Sequence, residues 1–114
     1  MTNRESQDRV QQLVDLVGPT LTAMASGTRK REHVTDWLNG TTEPTGDNLE
    51  RIKVAIEVLE QVGEAQGCEI ARAWFIGESC CVNNALVSPA SAIRQGAYKT
   101  ACSSAALFIE DGWL

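Results

Sequence analysis

The sequence predicts an all-α protein, with a small N-terminal helical bundle followed by a second small helical module. Three observations carry that prediction. Apolar residues recur at three- and four-residue spacing in successive windows. Glycine and proline cut those windows into short helices, and no window alternates apolar and polar residues as a strand would. At 114 residues and 43% hydrophobic content, the chain can build one core, or two very small units sharing it. So short a chain leaves apolar surface poorly covered, which favours self-association.

Taken in order, Met1 to Glu5 is polar, and Ser6 has the chemistry of an N-cap for a first helix. Val10, Leu13, Val14 and Val17 give that helix one apolar face, opposite Arg9, Gln11, Gln12 and Asp15. Gly18-Pro19 stops it and starts a second helix, from Thr20 to about Ser26, whose apolar side is Leu21, Met24 and Ala25. Gly27 ends this helix. Thr28 then has the chemistry to cap a third, Arg29 to Leu38, carrying Val34, Trp37 and Leu38 at helical spacing. Asn39-Gly40 closes it, and a loop containing Pro44 follows.

Asp47 opens the longest helix, with Leu49, Ile52, Ala55, Ile56, Leu59 and Val62 or Gly63 inward. A further helix spans Cys68 to Ile76 and closes at Gly77. Glu78 to Val87 has no clear period and reads as a connector, with Asn83-Asn84 as turn residues. Ser88-Pro89 is a helix start signal, Gly96 an exit, and a last helix runs from Ala97 to about Glu110.

The formal net charge of −5 and a pI near 4.8 exclude a binder whose whole surface is basic. The charge is unevenly placed. Arg29-Lys30-Arg31 are consecutive, while Asp47, Glu50, Glu57, Glu60, Glu64 and Glu69 crowd the following segment. A local cationic patch on an acidic body suits a short nucleic-acid contact that gains affinity from a second copy. The second and third helices, joined at Gly27, have the length and turn chemistry of a helix-turn-helix. In that geometry the start of the second helix meets base edges and phosphates, which nominates Thr28, Arg29, Lys30, Arg31 and His33 as DNA-binding residues.

Two further patterns give the chain a resemblance. Val34-x-x-Trp37-x-x-Gly40-x-x-x-Pro44 is similar to the segment that follows the recognition helix in the Xre/Cro-like helix-turn-helix. Cys68 to Gly112 resembles the toxin-binding domain of the MbcA/ParS/Xre antitoxin family, on three groups of residues. These are Ala71, Arg72, Ala73, Trp74 and Gly77; then Ser88-Pro89, Ala92-Ile93 and Gly96; then Ala101, Ala105, Ala106 and Phe108. The resemblance divides the chain into a DNA-binding region, residues 1–66, and a toxin-binding region, residues 67–114. It implies an antitoxin that covers the active site of a RES-type, NAD-consuming toxin, self-associates as a dimer, and represses its own operon at operator DNA.

Within the second region, Trp74 reads as a large packing anchor and Trp113-Leu114, behind Glu110 and Asp111, as a plug for a partner's pocket. Arg72, Trp74 and Arg94 are further toxin-binding candidates, the two arginines each also able to pair with a nearby acid. The alternative function is a stand-alone helix-turn-helix transcriptional regulator with a C-terminal sensing or dimerisation half.

Other classes find little in the residues. The single histidine lies in the basic segment, no nucleophile–base set or phosphate-cradling loop is present, and the expectation is a non-enzyme without cofactor. Cys68, Cys80, Cys81 and Cys102 lack zinc-ligand spacing, so the expectation is free thiols and no metal. No run reaches transmembrane length and no signal segment opens the chain, which predicts a soluble cytoplasmic protein.

Overall fold

The computed structural model describes residues 3–111, which form seven helices and one two-stranded sheet. Helix α1 (Asn3–Val17) begins before Ser6, so Ser6 is not its cap. Ser6 shares a face with Val10 and Leu13, at i, i+4 and i+7, and all three are buried. Helix α2 (Pro19–Ser26) starts on proline, as the sequence predicts, and ends at Gly27, where φ is +87°. Its buried face differs from expectation: Thr22, Ala23, Ala25 and Ser26 are inside, while Leu21 and Met24 are half-exposed. Small side chains let α2 approach its neighbours closely. The Thr22 and Ser26 hydroxyls are satisfied by donating to the carbonyls of Gly18 (2.8 Å) and Ala23 (3.0 Å).

Helix α3 (Arg31–Asn39) starts two residues later than the sequence predicts. Lys30 occupies the cap position, and Thr28 is buried in the linker before it, making no cap bond. Val34 and Trp37 pin the inner face of α3.

Helix α4 (Gly46–Gln66) is the pole around which the others pack, touching α1 and α2 as well as every later helix. Its start is a reciprocal capping box. Thr45 Oγ1 accepts from the Asn48 amide, and Asn48 Oδ1 accepts from the Thr45 amide, both at 3.2 Å. Asn48 Nδ2 also donates to the Ser26 carbonyl at 2.8 Å, which fixes the start of α4 against the end of α2. Ile52, Ala55, Ile56, Leu59 and Val62 are buried as expected, and Val58 joins them because α4 is covered on more than one side.

Helix α5 (Cys68–Ile76) has the boundaries the sequence predicts. The connector after it does not. Cys80–Val82 (β1) and Ala85–Val87 (β2) form an antiparallel hairpin, with Cys81 opposite Leu86. Asn83 and Asn84 both have positive φ, 52° and 67°, the backbone that a two-residue type I′ turn requires. The expected absence of strands is therefore corrected: three-residue strands are too short to show an alternation. Helix α6 (Pro89–Arg94) is capped by Ser88, whose Oγ accepts from the Ser91 amide at 3.1 Å. Helix α7 (Tyr98–Asp111) ends the described chain.

Buried residues from Val10 to Phe108 form a single hydrophobic core, continuous across the α4–α5 junction at Gly67. Trp74 lies in its second half, tilted against Phe75 and Phe108 with ring centroids 6.3 Å and 6.2 Å away. Its indole Nε1 donates to Ser104 Oγ at 3.3 Å, so the one polar atom of this buried ring is satisfied. No described helix is long and apolar enough to cross a membrane.

Candidate functional site

The segment Gly27 to Lys30 joins α2 to α3 and puts the predicted DNA-binding residues along one edge. Gly27 turns the chain in the left-handed region, and a Cβ there would sit 3.3 Å from Arg51 Cδ. Residue 27 is therefore glycine for two reasons, backbone conformation and the arginine stem beside it. Thr28 is buried, and its hydroxyl shares a hydrogen bond with His33 Nδ1, so it braces the linker against α3. Arg29, Lys30, Arg31 and His33 are exposed. Arg31 Nη1 reaches back to Thr20 Oγ1 at 3.4 Å.

Beside Arg29 and Arg31 lies an open depression of about 320 Å³, lined also by Thr20, Ala23, Met24, Thr28 and Arg94. Arg29 and Arg31 bring two exposed guanidiniums to its rim, the donors that phosphate oxygens accept from, while Arg94 and Thr28 are occupied within the protein. Of the five nominated residues, Arg29, Lys30, Arg31 and His33 are exposed, with His33 Nδ1 and Arg31 Nη1 each already holding a hydroxyl. Thr28 is a brace.

The toxin-binding candidates do not come together. Trp74 is 1% exposed, so its part is inside the core and it offers no surface to a partner. Arg94, expected on the toxin side, is half-buried and turned toward the α2–α3 linker, where Nη1 donates to the carbonyls of Met24 (3.0 Å) and Thr28 (3.1 Å). That corrects both assignments. The physical reason is shared: each residue belongs to a helix packed between others, and each finds its polar partner internally. Arg72 is exposed at the rim of a groove of about 250 Å³ between α1, α4 and α5, with Leu16, Leu59, Gly63 and Ala71 below it and Glu60 and Glu64 alongside. Trp113 and Leu114 lie outside the described residues.

Sequence reasoning missed the apolar side chains left uncovered in the second region. Ile76 is 56% exposed, Leu86 65% and Leu107 59%. Leu107 could be found from the period of α7, since it falls on the turn opposite Ala101, Ser104, Ala105 and Phe108. Leu86 could not, because its strand was unrecognised. Among the described residues no group of three or more His, Cys, Asp and Glu is placed to hold a metal ion. The cysteines are free, with Cys80 buried and Cys68, Cys81 and Cys102 exposed. Although Cys102 is exposed, partial desolvation of its thiol, with a smaller contribution from the charge of Glu57, raises its pKa and disfavours the nucleophilic thiolate.

Compared with protein-family models, with curated proteins and with solved structures, the chain matches none.

Proposed function

We propose that this chain is a DNA-binding antitoxin. In this reading α2 and α3 form a helix-turn-helix, and Arg29, Lys30, Arg31 and His33 contact operator DNA. The second region engages a RES-type toxin and covers its active site in a cytoplasmic complex, and the chain acts as a dimer. The observation that carries the DNA half is the run of exposed cations Arg29, Lys30 and Arg31 at the α2–α3 linker, on a chain of net charge −5. An acidic protein approaches DNA against its own field unless its cations are concentrated at the contact. The toxin half rests on the resemblance of Cys68 to Gly112 to the MbcA/ParS/Xre toxin-binding domain. The uncovered Ile76, Leu86 and Leu107 support it, as apolar side chains that a protein partner would bury.

The test of the first half is Arg29→Ala with Lys30→Ala, measured as binding to a duplex from upstream of the chain's own reading frame. Losing two phosphate contacts lowers the slope of log K against log salt by about 1.8 and weakens binding at every salt concentration. Unchanged binding would remove the assignment. For the second half, a protein encoded beside this chain should be toxic when expressed alone and should copurify with it.

The groove between α1, α4 and α5 favours a second reading, a stand-alone regulator that takes a small apolar effector there. In that case an effector changes DNA affinity with no second protein present.

A further inference from the structure

Arg94 belongs to the second region by sequence and to the basic edge by contact. We infer that it is a positioning residue for the DNA-contacting linker, through which the seat of α6 controls DNA affinity; this rests on the DNA-binding reading above. The last carbonyls of α2 have no partner within the helix. Gly27 N–H donates to the Met24 carbonyl at 3.2 Å, and Arg94 Nη1 adds a second, charged donor to that same oxygen. From the same nitrogen Arg94 reaches the Thr28 carbonyl, on the far side of the Gly27 turn. One cation thereby ties the end of α2 to the linker at the negative end of the helix dipole.

Arg94 is itself held. Arg51 of α4 donates from Nε to the Arg94 carbonyl at 3.1 Å, and the stem of Arg51 lies against Gly27. The chain of contacts runs from α4 through α6 to the linker, and Arg29 and Lys30 are the next residues along the backbone. With two carbonyls anchored, those side chains leave a fixed backbone. Without the anchor the linker samples other conformations, and the apparent affinity falls by the fraction that remains competent.

The test is Arg94→Met in the full chain, which keeps an apolar stem and removes every donor. Binding to the same upstream duplex weakens about tenfold, as a linker competent one-tenth of the time requires. Combined with Arg29→Ala and Lys30→Ala, the Arg94→Met loss disappears, because Arg94 acts through those residues. Amide exchange of Gly27 to Arg31 speeds up, while the amides of α5 and α7 keep their protection. A loss that adds in full to the Arg29/Lys30 loss overturns the inference, since Arg94 would then be an independent phosphate contact. Unchanged affinity, or linker amides that exchange no faster, also overturns it. Should Arg94→Met not fold, Arg94→Lys carries the same measurements with a smaller loss. Insensitivity of duplex binding to Arg29→Ala and Lys30→Ala marks failure of the DNA-binding reading itself, whereas exchange at the linker reports on the Arg94 anchor whatever the DNA result.

Discussion

The edge around Gly27 and the surface of the second region are built on opposite principles. At the edge, the interior is small and hydroxylic, with Thr22, Ser26 and Thr28 all buried, and the exterior is cationic. In the second region the interior is aromatic, with Trp74 against Phe75 and Phe108, and the exterior leaves Ile76, Leu86 and Leu107 in water. The first arrangement presents charge on a backbone fixed by hydrogen bonds, which suits a partner with many identical anions. The second presents apolar area on helices fixed by large side chains, which suits a partner that excludes water. One core of modest size supports both, because the two surfaces make no use of the same buried residues.

The sharpest way to break this comparison is Trp74→Ala. Removing the largest buried ring should cost about 3–5 kcal/mol, read as a fall in the denaturation midpoint. Because the core is continuous, the loss should appear in a single transition followed equally well by tryptophan fluorescence and by circular dichroism. Two separated transitions would show instead that the two regions unfold independently.

A smaller effect belongs to Gly27→Ala, which places a side chain at φ +87° and against the stem of Arg51. The left-handed backbone alone costs about 1–2 kcal/mol. Duplex binding should fall with it, since the strain is at the linker. Stability lost with affinity intact would detach the linker from the DNA contact.

Leu86→Ser with Leu107→Ser probes the other surface. Both side chains are largely in water already, so stability should change by no more than about 0.5 kcal/mol. Copurification with the neighbouring protein should be lost while duplex binding stays the same. Retained copurification would move the partner surface elsewhere, the Arg72 groove being the next place to look.

The smallest effect concerns Cys102. Its raised pKa leaves less thiolate at pH 8 than a free cysteine has, so iodoacetamide should modify it more slowly than free cysteine at that pH. Rapid modification would mark Cys102 as a reactive thiol.

Local signals were legible where one residue decides a backbone event. Pro19, Gly27, Gly40, Ser88-Pro89 and Gly77 each mark an element end that the structure keeps. The boundaries of α5 were readable because Gly67 and Gly77 bracket an amphipathic run. Two other readings failed for an equally local reason. Ser6 and Thr28 have cap chemistry, yet each is buried on a packed surface, and burial outweighs cap preference. The hairpin was illegible because three residues per strand carry no period. Cys80 reveals itself only by being covered from α6 and α7.

What the sequence by itself determined is the run of short helices, the cationic stretch from Arg29 to Arg31, and the anchoring role of Trp74. Each depends on neighbours a few residues away, on helical period, capping or side-chain size. Tertiary structure alone decided which half Arg94 serves and which apolar side chains stay uncovered. Arg94 meets Met24 and Thr28 only because α6 packs against α2, and no local pattern encodes a contact between residues so far apart in the chain.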